Sequence, residues 1–143
     1  MIDKQDEVFT RVMNGVIADF TESGVSMLDE KNFASDTSVM PSVFPHVSIV
    51  QTNSVTLRSS EDNDFNENKA TLTFDITVYS NYQGGKREQC RKIMDSVDKY
   101  MLRMNFIRMN YTFAPNLNNN AIARLIAKYQ VVADDTNFYR IGR

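Results

Sequence analysis

The stretch ATLTFDITVYS, residues 70–80, constrains the fold more than any other part of the chain. Leu72, Phe74, Ile76 and Val78 alternate with Thr71, Thr73, Asp75, Thr77 and Tyr79. Period-two alternation predicts a strand with one apolar and one polar face, because successive side chains point to opposite sides of a sheet. A lone strand cannot bury its apolar face, so the rest of the chain must supply pairing strands and a covering layer.

The covering layer is legible as two helices. Phe9, Val12, Met13, Val16, Ile17 and Phe20 recur at three- and four-residue spacing, which predicts a helix over residues 2–20. Asp3 is its expected N-cap, with Asp6 and Glu7 in the first turn, where the helix dipole favours carboxylates. Gly24 is the expected stop. Gly15 is out of place, since a mid-helix glycine costs about 1 kcal/mol relative to alanine. After a turn at residues 81–85, Cys90, Ile93, Met94, Val97, Tyr100, Met101 and Met104 form the stripe of a second helix. Its outer face carries Arg87, Glu88, Arg91, Lys92, Asp95 and Lys99, and Asn105 is the expected left-handed stop.

Other strands are read from the same alternation. Val25 and Met27 suggest a short strand, followed by turns up to Pro45. Val47, Ile49, Val55 and Leu57 predict a strand interrupted by Thr52 and Asn53, hence bent or bulged there. Residues 59–69 (SSEDNDFNENK) are polar and acidic and read as an exposed hairpin connection. Phe106, Arg108, Asn110 and Thr112 alternate with Ile107, Met109, Tyr111 and Phe113 up to Pro115. Residues 121–132 contain good helix formers, yet Ala121, Ala123, Leu125, Ala127, Tyr129 and Val131 alternate, which decides for a long strand after a hairpin loop. Residues 137–141 add a short strand or lie as a tail. The expectation is a single α+β domain over residues 1–143. Its antiparallel sheet has four to five strands, two helices pack on one face, and the order is α-β-β-β-α-β-β.

Composition narrows the function classes. With 42% hydrophobic residues and a net charge of -2, the chain has the make-up of a folded domain and lacks the basic excess that phosphate binding requires. Asp3, Asp6 and Glu7 stand where a signal peptide would be basic, and no stretch approaches the roughly 20 apolar residues of a membrane-spanning helix, so a soluble chain made in the cytosol is expected. The one cysteine, Cys90, cannot pair within the chain and sits on an apolar stripe, as a small buried hydrophobe would.

Candidate chemistry is thin. His46, the only histidine, has no matched triad or metal partners, and Gly84-Gly85-Lys86-Arg87 lacks the phosphate-loop spacing. Glu61, Asp62, Asp64 and Glu67 lack the glycine and closing glutamate of a calcium loop. Asp134 and Asp135 are either an acid–base pair or a hairpin turn, and the turn needs fewer assumptions. The expectation is a non-enzymatic protein with no metal and no cofactor.

Whole segments carry a further pattern. PSVFPHVSIVQTNS, then KATLTFDITVYSNYQGGKREQCRKIMDSVDKYMLRMNF, then ARLIAKYQVVADDTNFYR together resemble the tail terminator family of long-tailed bacteriophages. There a proline-led strand, a threonine-rich strand ending in Tyr-Ser-Asn, a helix and a closing strand near Asn-x-x-Tyr-Arg follow in this order, here at residues 45–50, 70–81, 86–104 and 123–140. The resemblance implies a structural virion protein. It would be a six-fold ring that caps the tail tube, stops its growth and offers the face to which the head-completion connector attaches, assembled in the host cytoplasm. DNA would pass through without specific binding. On this reading Glu61, Asp62, Asp64 and Glu67 face the channel or the tube, and Thr73, Asp75, Thr77, Arg87 and Arg91 supply inter-subunit surface. Rival readings are a stopper or tube subunit of the same junction, a small hydrolase using Asp134 and Asp135, and a ligand-binding module with an apolar pocket.

Overall fold

The computed structural model describes residues 2–22, 28–36, 41, 43–56, 69–114 and 121–141. Helix α1 spans Gln5–Glu22, and a 3-10 turn at Glu30–Asn32 leads into β1 (Phe33–Ala34). Then follow β2 (His46–Thr56), β3 (Ala70–Ser80), α2 (Lys86–Arg103), β4 (Ile107–Ala114), β5 (Ala123–Ala133) and β6 (Phe138–Tyr139). The fold is α+β, with a six-stranded sheet in the order β1-β2-β3-β5-β4, β6 pairing with β5 beside β4. All pairings are antiparallel except β1 with β2, which is parallel and so corrects the all-antiparallel expectation. The strand expected at Val25 and Met27, the stop at Gly24 and Leu57 lie outside the described residues.

Both helices cover one sheet face. Val8, Val12 and Val16 of α1 and Cys90, Ile93, Met94, Val97 and Met101 of α2 join Leu72, Phe74, Ile76 and Val78 of β3 in one core. Leu125, Ala127, Tyr129 and Val131 complete it from β5, so alternation prevails over helix propensity there, as expected. Helix α1 lies over the β2 side, and α2 spans β3, β5 and β4.

Local chemistry explains the ends of these elements. Helix α1 starts at Gln5 and not at residue 2, and its first backbone bond runs to Lys4 O, so Lys4 and not Asp3 stands at the N-cap; Asp3 Oδ1 still accepts from the Gln5 amide, one of the free donors of the first turn, at 2.9 Å. Asn105 stops α2 at φ 71, and the Phe106 and Asn105 amides donate to Met101 O at 3.1 Å and Leu102 O at 3.0 Å, a Schellman pair. Gly85 precedes α2 at φ 140, a conformation that side chains resist, so the glycine pair serves the turn.

Two β-bulges rearrange the expected faces. Gln51 pairs with Phe74 and Asn53 with Thr73, so Thr52 is the extra residue. The alternation inverts beyond it: Ser54, opposite Leu72, faces the helices, whereas Val55, opposite Thr71, turns away and is 51% exposed. In β4, Arg108 pairs with Tyr129 and Asn110 with Lys128, which makes Met109 the extra residue. Arg108 therefore shares the helix side with Tyr111 and Phe113, and Ile107 sits with Asn110 and Thr112. Each expected stripe holds on one side of its bulge only.

The N-terminal residues close the β2 edge. Gln5 Nε2 donates to Ile49 O at 2.8 Å and Gln5 Oε1 accepts from the Gln51 amide at 2.6 Å, so one side-chain amide takes the place of a neighbouring strand. Gln51 Oε1 in turn accepts from the Lys4 amide at 2.9 Å, and Ser54 Oγ donates to Ile2 O at 3.0 Å. The buried Lys4 ammonium reaches Asp135 O at 2.6 Å and Glu7 Oε1 at 3.5 Å, tying the chain's start to the β5–β6 turn.

Candidate interaction surfaces

Among the described residues the side chains with functional potential fall on three surfaces. The first is the helix-free face of the sheet. Thr73, Asp75 and Thr77 of β3 lie there beside Ser48, Val50 and Asn53 of β2 and Ile126, Lys128 and Gln130 of β5. Asp75 stands directly opposite Lys128, whose Nζ is 3.5 Å from Oδ1, an ion pair without hydrogen-bond geometry at that oxygen. Gln130 Nε2 donates to Thr73 Oγ1 at 3.3 Å. Thr73 is only 7% exposed, so Asp75, Thr77 and Lys128 carry more of what this face offers to a partner.

At one end of the same face, His46 and Tyr79 are buried with ring centroids 5.8 Å apart. Burial pushes the His46 imidazole below its ordinary value against the opposing pull of Asp36, and Nε2 has no hydrogen-bond partner among the described residues. A neutral imidazole packed on Tyr79 fits a strand-end residue.

The second surface is the outer flank of α2 against β4. Arg87 and Arg91 lie over the Phe113 ring, 4.5 and 5.2 Å from its centroid. Two helical turns beyond, Asp98 Oδ1 accepts from the buried Tyr129 hydroxyl at 2.7 Å and lies 3.5 Å from Arg108. Burial first, and then this bond, raise the Tyr129 pKa. Arg87 and Arg91 are thus on the opposite side of the sheet from Thr73, Asp75 and Thr77, and the structure divides the expected inter-subunit set in two.

The third is the junction of the helices, which sequence reading missed. Asp19 accepts from Ser96 Oγ at 2.7 Å and Tyr100 OH at 2.9 Å and pairs with Lys99 Nζ at 2.8 Å. Burial alone pushes the Asp19 carboxyl up, but these three partners outweigh it and hold its pKa below the ordinary value. Lys99 is raised by Asp19, the reverse of what a lysine base needs, so the serine, tyrosine and lysine form a helix clamp. Gly15 belongs to it, for a Cβ there would lie 2.5 Å from Tyr100 Cζ. The glycine that looked out of place makes room for the ring.

Asp134 and Cys90 have structural surroundings. Asp134 Oδ1 accepts from the amides of Asn137 at 2.7 Å and Thr136 at 2.9 Å, and Oδ2 accepts from Tyr139 OH at 2.7 Å. Tyr139, then the two amides, hold its carboxyl at about 2, which suits a turn and not proton transfer at neutral pH. Burial pushes the Cys90 thiol up to about 11. Glu61, Asp62, Asp64 and Glu67 lie outside the described residues. Among the described residues no cluster of three or more His, Cys, Asp or Glu is arranged to hold a metal, and no helix is long and apolar enough to cross a membrane.

Neither a protein-family model nor a curated protein matches this chain.

Proposed function

We propose that this chain is a structural subunit of a phage tail, a tail terminator that closes into a six-fold ring on the last ring of the tube. In that role it stops tube growth, offers the face for the head-completion connector and lets DNA pass without specific binding. It resides in the virion, and no reaction is involved.

The observation that carries the reading is the layering. With both α-helices on one side of a single sheet, the face bearing Asp75, Thr77 and Lys128 is free of helices among the described residues, and it is a different surface from the Arg87–Arg91 flank. A closed head-to-tail ring needs two unlike patches on each subunit, and a subunit layered in this way has several unlike surfaces from which to draw them. The order of segments that resembles the terminator family gives the reading its specific content. The acids Glu61, Asp62, Asp64 and Glu67 suit a channel that must not retain DNA.

Negative-stain imaging of the purified chain with tail tubes tests the proposal. Closed rings on tube ends and an arrest of tube lengthening are expected. Continued growth through incorporated chains would identify a tube subunit instead, and tubes left bare would refute both.

A further inference from the structure

The charges of this chain are divided along the sheet. Leaving aside Asp19 at the helix junction, the described residues between 2 and 36, which include α1 and β1, carry seven acids and three bases; leaving aside Lys99 and Arg103, which lie on Tyr100 at that junction, residues 86–114, which include α2 and β4, carry five bases and three acids. Because β1 and β4 are the two ends of the strand order and α1 and α2 lie over the corresponding sides, the slab has an acidic lateral pole and a basic one.

Each pole also has an apolar element. At the acidic pole Asp29, Glu30 and Asp36 are exposed around β1. Asp6, Phe9, Met13 and Ile17 follow at helical spacing on the side of α1 away from Gly15 and Asp19, which face α2; the three apolar side chains are half-buried against the core and present only their outer edges. At the basic pole Arg87 and Arg91 sit on Phe113, Leu102 is 40% exposed one turn past Asp98, and Met109 is 53% exposed at the β4 bulge. Among the described residues no strand pairs with the outer edge of β4.

We infer that copies of this chain dock head to tail through these poles, the acidic α1–β1 end of one on the basic α2–β4 end of the next. Opposite charge at opposite ends steers unlike ends together and repels like ends, which selects a heterologous contact over a two-fold one. The inference deepens the ring proposal and rests on its claim that copies associate, but it stands apart from tube capping.

Sedimentation equilibrium of the full chain tests it at low and high salt, where exposed charges are unscreened and screened. The variant R87E/R91E makes both poles acidic, and D29K/E30K weakens the acidic pole. Each alone should associate about tenfold or more weakly than wild type at low salt, while an equimolar mixture of the two should regain association. As a check independent of mutation, zero-length carboxyl-to-amine crosslinking of mixed isotope-labelled wild-type chain should join acids of residues 3–36 to Lys86 or Lys92 between copies. Wild-type chain that stays monomeric at low salt and millimolar concentration without such crosslinks would overturn the inference, as would equal association of R87E/R91E. Tubes capped equally well by R87E/R91E would sink this docking and leave the terminator reading intact; head-to-tail association without capping would do the reverse.

Discussion

Replacing Gly15 by alanine sets two effects of opposite sign against each other. In an open helix the exchange stabilises by about 1 kcal/mol. Here the new Cβ would lie 2.5 Å from Tyr100 Cζ and 2.6 Å from both Cε atoms, far inside contact, so the ring must leave. Its departure breaks the 2.9 Å bond to Asp19, worth about 1.5 kcal/mol for a charged acceptor beside a half-buried donor. Lost packing of the ring on α1 removes about 1 kcal/mol more. The net is a destabilisation of about 1–2 kcal/mol, or a Tm lower by roughly 3–8 °C in a domain of this size. In a Tyr100→Ala background the obstacle is gone, and the same exchange should stabilise by up to about 1 kcal/mol. Urea unfolding of the four proteins, followed by circular dichroism, completes the cycle. Stabilisation of the wild-type background by Gly15→Ala, or the same effect in both backgrounds, would show that the glycine is not there for the tyrosine.

Three further outcomes follow from the same geometry. Cys90, with its thiol pushed up to about 11 and its Sγ 3.5 Å from Val78 O, should resist a disulfide reagent at pH 8 until denaturant is added; rapid stoichiometric labelling of the native chain would contradict its burial. Asp134 falls from an ordinary 3.8 to about 2 on folding, so its stabilisation is complete above the higher value and lost as pH drops through the lower one. Asp134→Asn should therefore lower Tm at neutral pH by an amount that shrinks toward pH 2, and a constant difference across a pH series of melting curves would refute the assignment. Asn105→Ala should destabilise by about 1–2 kcal/mol and Asn105→Gly by less, since φ 71 suits glycine and both lose the bond from Nδ2 to Phe138 O; equal losses in chemical denaturation would exclude a backbone origin.

The elements were legible because burial imposes period two on a strand covered on one side and period 3.6 on a helix. Residues 121–132 are the sharpest case: good helix formers became β5 because their apolar side chains alternate. The bulges at Thr52 and Met109 were less legible, the first only as a break in pattern. Which residue is extra depends on the partner strand, so Val55 was assigned to the wrong face and Arg108 was separated from Tyr111 and Phe113. Strand β1 is two residues long and leaves no periodic trace. The helix clamp was invisible because Asp19 and Ser96 are 77 residues apart, and Gly15 registered as a defect for want of its neighbour. Asp75 was noticed without Lys128, since only the register of β3 with β5 brings the two together.

The two sheet edges are treated differently, and this bears on how copies can meet. On β2 the Gln5 amide occupies Ile49 O and the Gln51 amide, so no incoming strand can add there without displacing α1's first turn. On β4 the outer edge has no partner strand among the described residues, which invites a second β4 to pair across a two-fold axis. Such a dimer would be self-complementary and would use up the basic pole, leaving nothing with which to close a ring. The bulge at Met109 works against it by interrupting the regular ladder in the middle of an eight-residue strand. Strand addition is hindered beside Gln5 on β2 and at the β4 bulge, and both features favour side-chain contact over strand pairing between copies.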